Sequence, residues 1–203
     1  MHRQSLLAVV SILACSTTLS CVNDAQEVTP EDERWVSAVG RESASTLAGG
    51  LIQRLTAALQ EGGPEHAVNF CSREALELTA TIEHSLTDGI ELKRTSMKYR
   101  NPANAPDELE VAAIAYFQDV LATKHELPPY LVQRTSQNEF RYYQPLMVNE
   151  MCLQCHGTTE LIAPEVQQAI ETSYPNDLAT GYAVGELRGL IRVTVPSRVL
   201  EDT

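Results

Sequence analysis

The sequence predicts an α+β fold with a small, mainly antiparallel sheet. Helical spacing of apolar residues dominates the first part of the chain, and strand-like segments follow later, separated by a helix and by loops. A regular alternation of strand and helix, which would indicate a parallel sheet, does not occur. The 203 residues are 43% hydrophobic, which suffices for one buried core. We therefore expect a single folded domain.

The N-terminus has the layout of an export signal. A short polar start contains Arg3, an apolar run extends over residues 6–14, and small residues follow. The apolar run is too short to span a bilayer. We expect residues 1–20 to be an export signal of the lipoprotein type, residues 21–29 to be a linker and residues 30–203 to form the domain, located in the periplasm.

Two cysteines close the signal, and each follows small or apolar residues. Cys21 gives the more ordinary signal length, and we predict it as the lipidation site. Cys15 fits the usual processing pattern better and is the alternative, and cleavage without a lipid is a third reading. Contact with a membrane is expected only through an N-terminal lipid anchor.

The first half of the domain is predicted to be helical. Pro30 begins a long helix that extends to about Gln60, with acidic residues in its first turn. Its apolar positions recur at helical spacing: Trp35, Val39, Leu47, Leu51, Leu55 and Leu59. Gly62-Gly63 end this helix and Pro64 opens a second, on which the spacing of apolar residues turns Cys71 inward.

The second half of the domain contains the predicted strands. Residues 90–95 and 139–148 are strand-like, and Asp107 caps a helix between them that ends by Pro128-Pro129. Apolar residues alternate with others from Leu187 to Val195, which predicts a final strand with one face buried.

The segment Cys152-Leu153-Gln154-Cys155-His156 has the C-x-x-C-H pattern of c-type haem attachment. Two thiols a helical turn apart can each form a thioether with one haem vinyl group, and the next imidazole then binds the iron. The single motif predicts one covalent haem c. A Cys152–Cys155 disulfide is the first alternative in an oxidising compartment. A thioredoxin-like site would need a βαβ setting, and a zinc site would need a second ligand pair; neither is found in the sequence.

The iron position opposite His156 has several candidate ligands. By residue type, a His or Met comes first, since these are common in c-type electron carriers. The candidates are His66, His84, His125, Met97, Met147, Met151 and Cys71, and the position can also stay open. Met151 abuts the attachment motif, which is unfavourable for reaching the opposite face.

Several short elements, in order, resemble the PAS-like single-haem c domain, which occurs in stand-alone exported proteins and as the sensory part of bacterial histidine kinases. These elements are Ala67-Val68-Asn69-Phe70-Cys71, Arg94-Thr95-Ser96, Arg100-Asn101-Pro102-Ala103-Asn104-Ala105-Pro106-Asp107, Tyr143-Gln144-Pro145, Cys152-Leu153-Gln154-Cys155-His156-Gly157 and Gly185-Glu186-Leu187-Arg188-Gly189. The resemblance implies a PAS-like antiparallel sheet flanked by helices. It also implies that the iron is held by the motif histidine and by a cysteine from a helix.

Under this resemblance His156 and Cys71 are the metal ligands. A thiolate offsets the charge of ferric iron, so it would lower the reduction potential and favour Fe(III). The plain alternative is that Cys71 is a small buried hydrophobe. Arg94 or Arg100, which belong to a local basic cluster with Lys93 and Lys98, would pair with haem propionates; a solvated face is the alternative.

Three classes of function fit one tethered haem. The formal net charge of −12 disfavours nucleic acid and anionic lipid, and it suits a redox or signalling protein partner with a basic surface. The resemblance favours a sensor or binding module that responds to redox state or a small gas. A low-potential electron carrier is the alternative. An enzyme of the peroxidase type would need an open iron site, so we predict no enzymatic activity.

Overall fold

The computed structural model describes residues 27–87, 89–135 and 137–197. The predicted export signal, Cys15 and Cys21 lie outside them. The helices are α1 (Pro30–Ser85), α2 (Glu108–Lys124), α3 (Leu153–His156) and α4 (Pro164–Ser173). The strands are β1 (Glu91–Thr95), β2 (Leu131–Arg134), β3 (Glu139–Met147) and β4 (Leu187–Pro196). Within the described ranges, no helix is both long and apolar enough to cross a membrane.

The four strands form one antiparallel sheet in the order β1-β4-β3-β2. Val193 of β4 is the register partner of both Leu92 on β1 and Tyr142 on β3. The C-terminal strand therefore lies in the interior of the sheet, between strands from distant parts of the chain. The predicted α+β class with a small antiparallel sheet is confirmed.

Helices cover both faces of this sheet. The first core cluster joins α1 to one face, and its buried members are Val36, Ala44, Leu47, Ile90, Leu92, Phe140, Tyr142, Ile191, Val193 and Val195. The second joins α2 to the other face through Ala113, Ile114, Phe117, Tyr143, Leu187 and Leu190. The expectation that the last strand has only one buried face is wrong: Leu190 and Thr194 are 0% and 3% exposed because the second face lies on the α2 side.

The long helix α1 is two arms joined at a glycine break. Gly62 and Gly63 leave the helical conformation, and Gly63 has a φ of 71°, which a glycine adopts without steric cost. Pro64 follows, so the break predicted at this pair is confirmed. We call residues 64–85 the second arm of α1. It carries Cys71 and packs on α4 through Val68.

Helix α2 begins at a capping box and ends before the expected proline pair. The Asp107 carboxylate accepts a hydrogen bond from the Glu110 N–H, and the Glu110 carboxylate accepts one from the Asp107 N–H. At the other end, His125 takes a left-handed conformation and donates its N–H to the Leu121 carbonyl at 3.2 Å. The helix therefore stops at Lys124.

Glu110 also anchors the helix to the sheet. Its side chain is fully buried and lies 2.7 Å from the Lys93 ammonium and 3.6 Å from the Arg192 guanidinium. Thr95 donates a further hydrogen bond to the same carboxylate, at 3.1 Å. A buried charge needs such partners, because leaving it unpaired costs several kcal/mol, roughly 3–5.

Candidate functional site

The attachment motif occupies two short helical turns. A 3₁₀ turn (Glu150–Cys152) leads directly into α3. The Asn149 side-chain oxygen accepts a hydrogen bond from the Cys152 N–H at 3.3 Å, which fixes the start of the first turn. The half-buried thiols of Cys152 and Cys155 are free. Three residues apart in helical backbone, they lie on one side of the turn, and no disulfide joins them in this structure.

His156 is oriented by a backbone carbonyl. Its Nδ1 lies 2.6 Å from the Ala179 oxygen, and a carbonyl only accepts, so Nδ1 carries the proton and Nε2 keeps its lone pair. The pKa of His156 is lowered to about 3, chiefly by burial and in part by the charges of Arg188 and Arg100. The imidazole is therefore neutral at physiological pH, which is the state that binds a metal.

The backbone of the motif is held by the loop before β4 and by one arginine. Tyr182 donates its N–H to the His156 carbonyl at 2.9 Å, and Gly181 donates to the Gly157 carbonyl at 2.7 Å. Arg100 Nη2 donates to the Cys155 carbonyl at 2.6 Å. The three bonds fix the motif against the sheet and so fix the direction of the imidazole.

His156 forms part of the wall of a cleft of about 240 Å³, which we call the His156 cleft. The first arm of α1 contributes apolar side chains to one wall: Ala48, Leu51 and Ile52. The sheet and the loop after β1 contribute Arg94, Arg100 and Arg188. An apolar wall facing cationic groups suits a planar, largely apolar ligand with carboxylate substituents.

The two predicted arginines differ in their partners. Arg100 is bound bidentately by Asp177, with Nε–Oδ1 and Nη2–Oδ2 distances of 3.1 and 3.0 Å. Arg94 has no ion pair among the described residues, and its buried Nε lacks a hydrogen-bond partner. Burial lowers the pKa of the Arg94 guanidinium, whereas the nearby Cys71 opposes that effect. Of these two arginines, Arg94 is therefore the one that lacks a carboxylate partner, and the alternative of a solvated face does not hold for either of them.

Cys71 is the half-buried member of the candidate ligand set. Burial raises the pKa of its thiol, and the charges of Arg94 and Arg100 oppose the increase. Its charge also affects the pKa of Cys155, so the two sulfurs belong to one region of the structure. The six other candidates are exposed: His66, His84, His125, Met97, Met147 and Met151. Among these seven side chains, only Cys71 is withdrawn from solvent.

Three residues that contact His156 or line its cleft were not predicted from the sequence. Ala179 contributes only its carbonyl oxygen, which leaves no trace in a sequence. Tyr182 is 6% exposed and packs edge-on to His156, with ring centroids 6.3 Å apart. Arg188 had a usable signal, since it is a charged residue at the start of an apolar strand, one position before Gly189 with a φ of 157°. The register between β3 and β4 shifts here, from Leu146–Gly189 to Met147–Leu187, and such β-bulges are frequent next to functional sites.

The fold and the site define a class of protein. A helix-flanked antiparallel sheet that carries a C-x-x-C-H turn beside a cationic cleft has the expected features of a PAS-like single-haem c-type domain. The Tll0287-like family model matches residues 15–196, so the chain belongs to the Tll0287-like family, and the resemblance inferred from the sequence is confirmed.

A solved structure agrees with this assignment. The crystal structure of the cyanobacterial haem protein Tll0287 superimposes with a TM-score of 0.58 and 26% sequence identity. The match covers 84% of this chain and 98% of that chain. No curated protein matches the sequence.

Proposed function

We propose that this chain is an exported haem protein that holds one covalent haem c and responds to its redox state or to a small gas. One observation carries the proposal: the Ala179 carbonyl holds the His156 ring with Nε2 available, one residue from a pair of free thiols. Similarity to a protein described as a haem protein supports the choice of cofactor.

The attachment motif and the residues of the His156 cleft together suit the chemical parts of haem c. Cys152 and Cys155 would each add across a vinyl group: the sulfur–carbon bond forms, and the thiol proton goes to the other vinyl carbon. His156 would bind the iron through Nε2. Arg94, whose Nε is unpartnered, would pair with a propionate, while Arg100 positions the Cys155 carbonyl. When bound, haem supplies one-electron redox chemistry and, in the ferrous state, affinity for CO and NO.

Cys71 is our candidate for the second axial ligand. It lies on the second arm of α1, which the Gly62-Gly63 break separates from the first arm. A thiolate stabilises ferric iron more than ferrous iron, so reduction weakens the bond between sulfur and metal. Release of Cys71 would open the iron to a gas and free the second arm to move against α4.

Spectroscopy of the Cys71→Ala variant tests this ligand assignment. We expect the ferric wild-type protein to show thiolate-type absorption and the variant to lose it, with a raised reduction potential. Ser72→Ala, the neighbouring substitution on the same helix, is the matched control and should keep the wild-type spectrum. Identical ferric spectra for Cys71→Ala and wild type would reject the assignment.

Ligand uptake on reduction separates sensing from electron transfer. A sensor should bind CO only after reduction, whereas a carrier should exchange electrons rapidly without binding it. The formal net charge of −12 favours the carrier as the second candidate, because it would steer the protein to a basic redox partner. We propose no enzymatic turnover.

We also propose a periplasmic location with a lipid on Cys21. The support lies in the sequence of residues 1–21. Detergent partitioning of the wild-type protein, with Cys15→Ala as the matched comparison for Cys21→Ala, tests the anchor. Loss of partitioning only in Cys21→Ala supports the assignment, and loss only in Cys15→Ala contradicts it.

A further inference from the structure

A second cavity, of about 390 Å³, is lined by residues of α2, of the segment that follows β1, and of the start of β4 with the loop before it. We call it the α2-side cavity. Its apolar lining includes the buried side chains of Ile114 and Leu187 and the half-buried side chain of Leu121. Lys98 and Arg188 line it as well. Arg188 also lines the His156 cleft, so one arginine belongs to both spaces.

The cavity has more positive than negative charge. Within the described part of the chain, neither Lys98 nor Arg188 forms an ion pair with a carboxylate. Lys98 Nζ donates only to the Thr180 carbonyl, at 2.8 Å. Glu186 lines the rim, and its carboxylate accepts a hydrogen bond from the Ala183 N–H at 3.0 Å. The cavity therefore holds two cations, Lys98 and Arg188, and one carboxylate, Glu186. Its local charge is positive, although the formal net charge of the chain is −12.

Tyr182 joins this cavity to the axial histidine. Its buried ring lines the cavity, with Lys98 Nζ 4.5 Å and Arg188 Cζ 5.3 Å from the ring centroid. The same ring packs edge-on to His156, and the Tyr182 N–H holds the His156 carbonyl. A ligand that moves Tyr182 or draws on the Arg188 charge therefore acts on the residue that would bind iron.

We propose that the α2-side cavity binds a small amphiphilic carboxylate and that Tyr182 and Arg188 transmit its occupancy to His156. The carboxylate would meet Lys98 and Arg188, and its apolar part would cover Ile114 and Leu121. The transmission rests on the proposed haem function. A negative charge bound near Arg188 stabilises ferric iron, so binding lowers the reduction potential, and by linkage the ferric protein binds the carboxylate more tightly than the ferrous protein.

A haem propionate has the same carboxylate chemistry as a free ligand. Lys98 distinguishes the two, because it lines the α2-side cavity and does not line the His156 cleft. If a propionate already occupied Lys98 and Arg188, the haem-loaded protein would bind no added carboxylate.

Hexanoate titrated into the haem-loaded protein by calorimetry tests the site, with hexanol as the uncharged comparison. We expect saturable hexanoate binding, weaker by about tenfold or more in Lys98→Met because a charge-assisted contact is lost. Lys124→Met, which replaces an exposed lysine at the end of α2, is the matched charge control.

A second pair of variants tests the position of the site. Ala122→Trp should fill the cavity and abolish binding, while Ala115→Trp, on an exposed position of the same helix outside the cavity, should leave binding unchanged.

The reduction potential, measured with and without hexanoate, tests the transmission. We expect a decrease in the wild-type protein and none in Ala122→Trp. Absence of saturable binding, or equal binding by hexanol, overturns the carboxylate site. Lys98-dependent binding with an unchanged potential overturns the transmission to His156. A colourless preparation would instead contradict the haem proposal, and calorimetry on it would still report on the cavity.

Discussion

Arg94 and Arg100 both line the His156 cleft, but their hydrogen-bond and ion-pair partners differ. Asp177 neutralises Arg100, and the Cys155 carbonyl accepts a further bond from it, so Arg100 holds the motif in place. Arg94 projects into the same cleft with a buried Nε that has no partner. A buried guanidinium of this kind suits a ligand carboxylate.

Replacing Arg94 should therefore affect the haem, whereas replacing a surface arginine should not. Arg94→Gln removes a positive charge and leaves a propionate unpaired, and both changes favour ferric iron. We expect a lower reduction potential that also depends more strongly on pH between 5 and 8 (a range in which an unpaired propionate gains and loses its proton). Potentiometry on the haem-loaded protein, with exposed Arg34→Gln as the control, measures this. Equal potentials in wild type and Arg94→Gln would show that the propionates bind elsewhere.

Individual site residues could be predicted from the sequence where the residues that act together are neighbours in the chain. The spacing of Cys152, Cys155 and His156 predicts one compact turn, and the structure has that turn. Sequence reasoning failed to separate Arg94 from Arg100, because the distinguishing partner, Asp177, lies far along the chain. Contacts made by backbone atoms, such as the Ala179 carbonyl, cannot be predicted from residue identity.

The stability of helix α2 depends on the negative charge of its N-terminal capping residue, Asp107. Burial alone would raise the pKa of the Asp107 carboxyl. The hydrogen bond from the Glu110 N–H and the Arg141 guanidinium, whose Nη1 lies 2.7 Å from Asp107 Oδ2, outweigh burial and keep this pKa below the usual 3.8. A lowered folded-state pKa contributes stability that is present above the unfolded value and is lost as the pH falls through the folded value.

Asp107→Asn should therefore destabilise the protein in a pH-dependent manner. The amide can still cap the helix but cannot pair with Arg141, so we expect a loss of up to about 1 kcal/mol at neutral pH. The difference from wild type should vanish as the pH falls well below 3.8. Urea unfolding across pH measures it, and exposed Asp119→Asn on the same helix is the control. A difference that persists unchanged in acid would contradict the assignment.

Helix α1 packs closely against the sheet at Gly40. A Cβ at this position would overlap the ring of Tyr142 on β3, whereas a Cβ at Gly49 would meet nothing nearby. Gly40→Ala should cost about 1–3 kcal/mol of unfolding free energy, because the helix must move off the sheet. Gly49→Ala should gain roughly 0.5–1 kcal/mol from its better helix propensity. Similar unfolding free energies for the two variants would disprove the close contact.

Elements were predictable from sequence where local signals were strong. The glycine pair that breaks α1 and the Asp107 cap both appear in the structure. Strand β2 was not predicted, because four residues are too few to show a period. Helix α4 was also not predicted, although Pro164 begins it and Val166, Ala169 and Ile170 follow the helical spacing.

At the scale of the whole molecule, the sheet separates two helical layers, and one cavity borders each layer. The α1 layer borders the His156 cleft, and the α2 layer borders the α2-side cavity. The order of helices and strands in the chain is enough to predict the α+β class. The two-sided burial of β4 was not predictable, because it depends on α2 packing on the second face.

The covalent attachment of haem is the claim on which the functional account depends. The most direct measurement is the mass of the digested peptide that contains Cys152 and Cys155, from protein made in cells with c-type maturation machinery. We expect this peptide to carry the mass of one haem in the wild-type protein and in Cys71→Ala, and to lose it in a double Cys152→Ala, Cys155→Ala variant. A colourless wild-type protein whose peptide has only the mass of its amino acids would contradict the account.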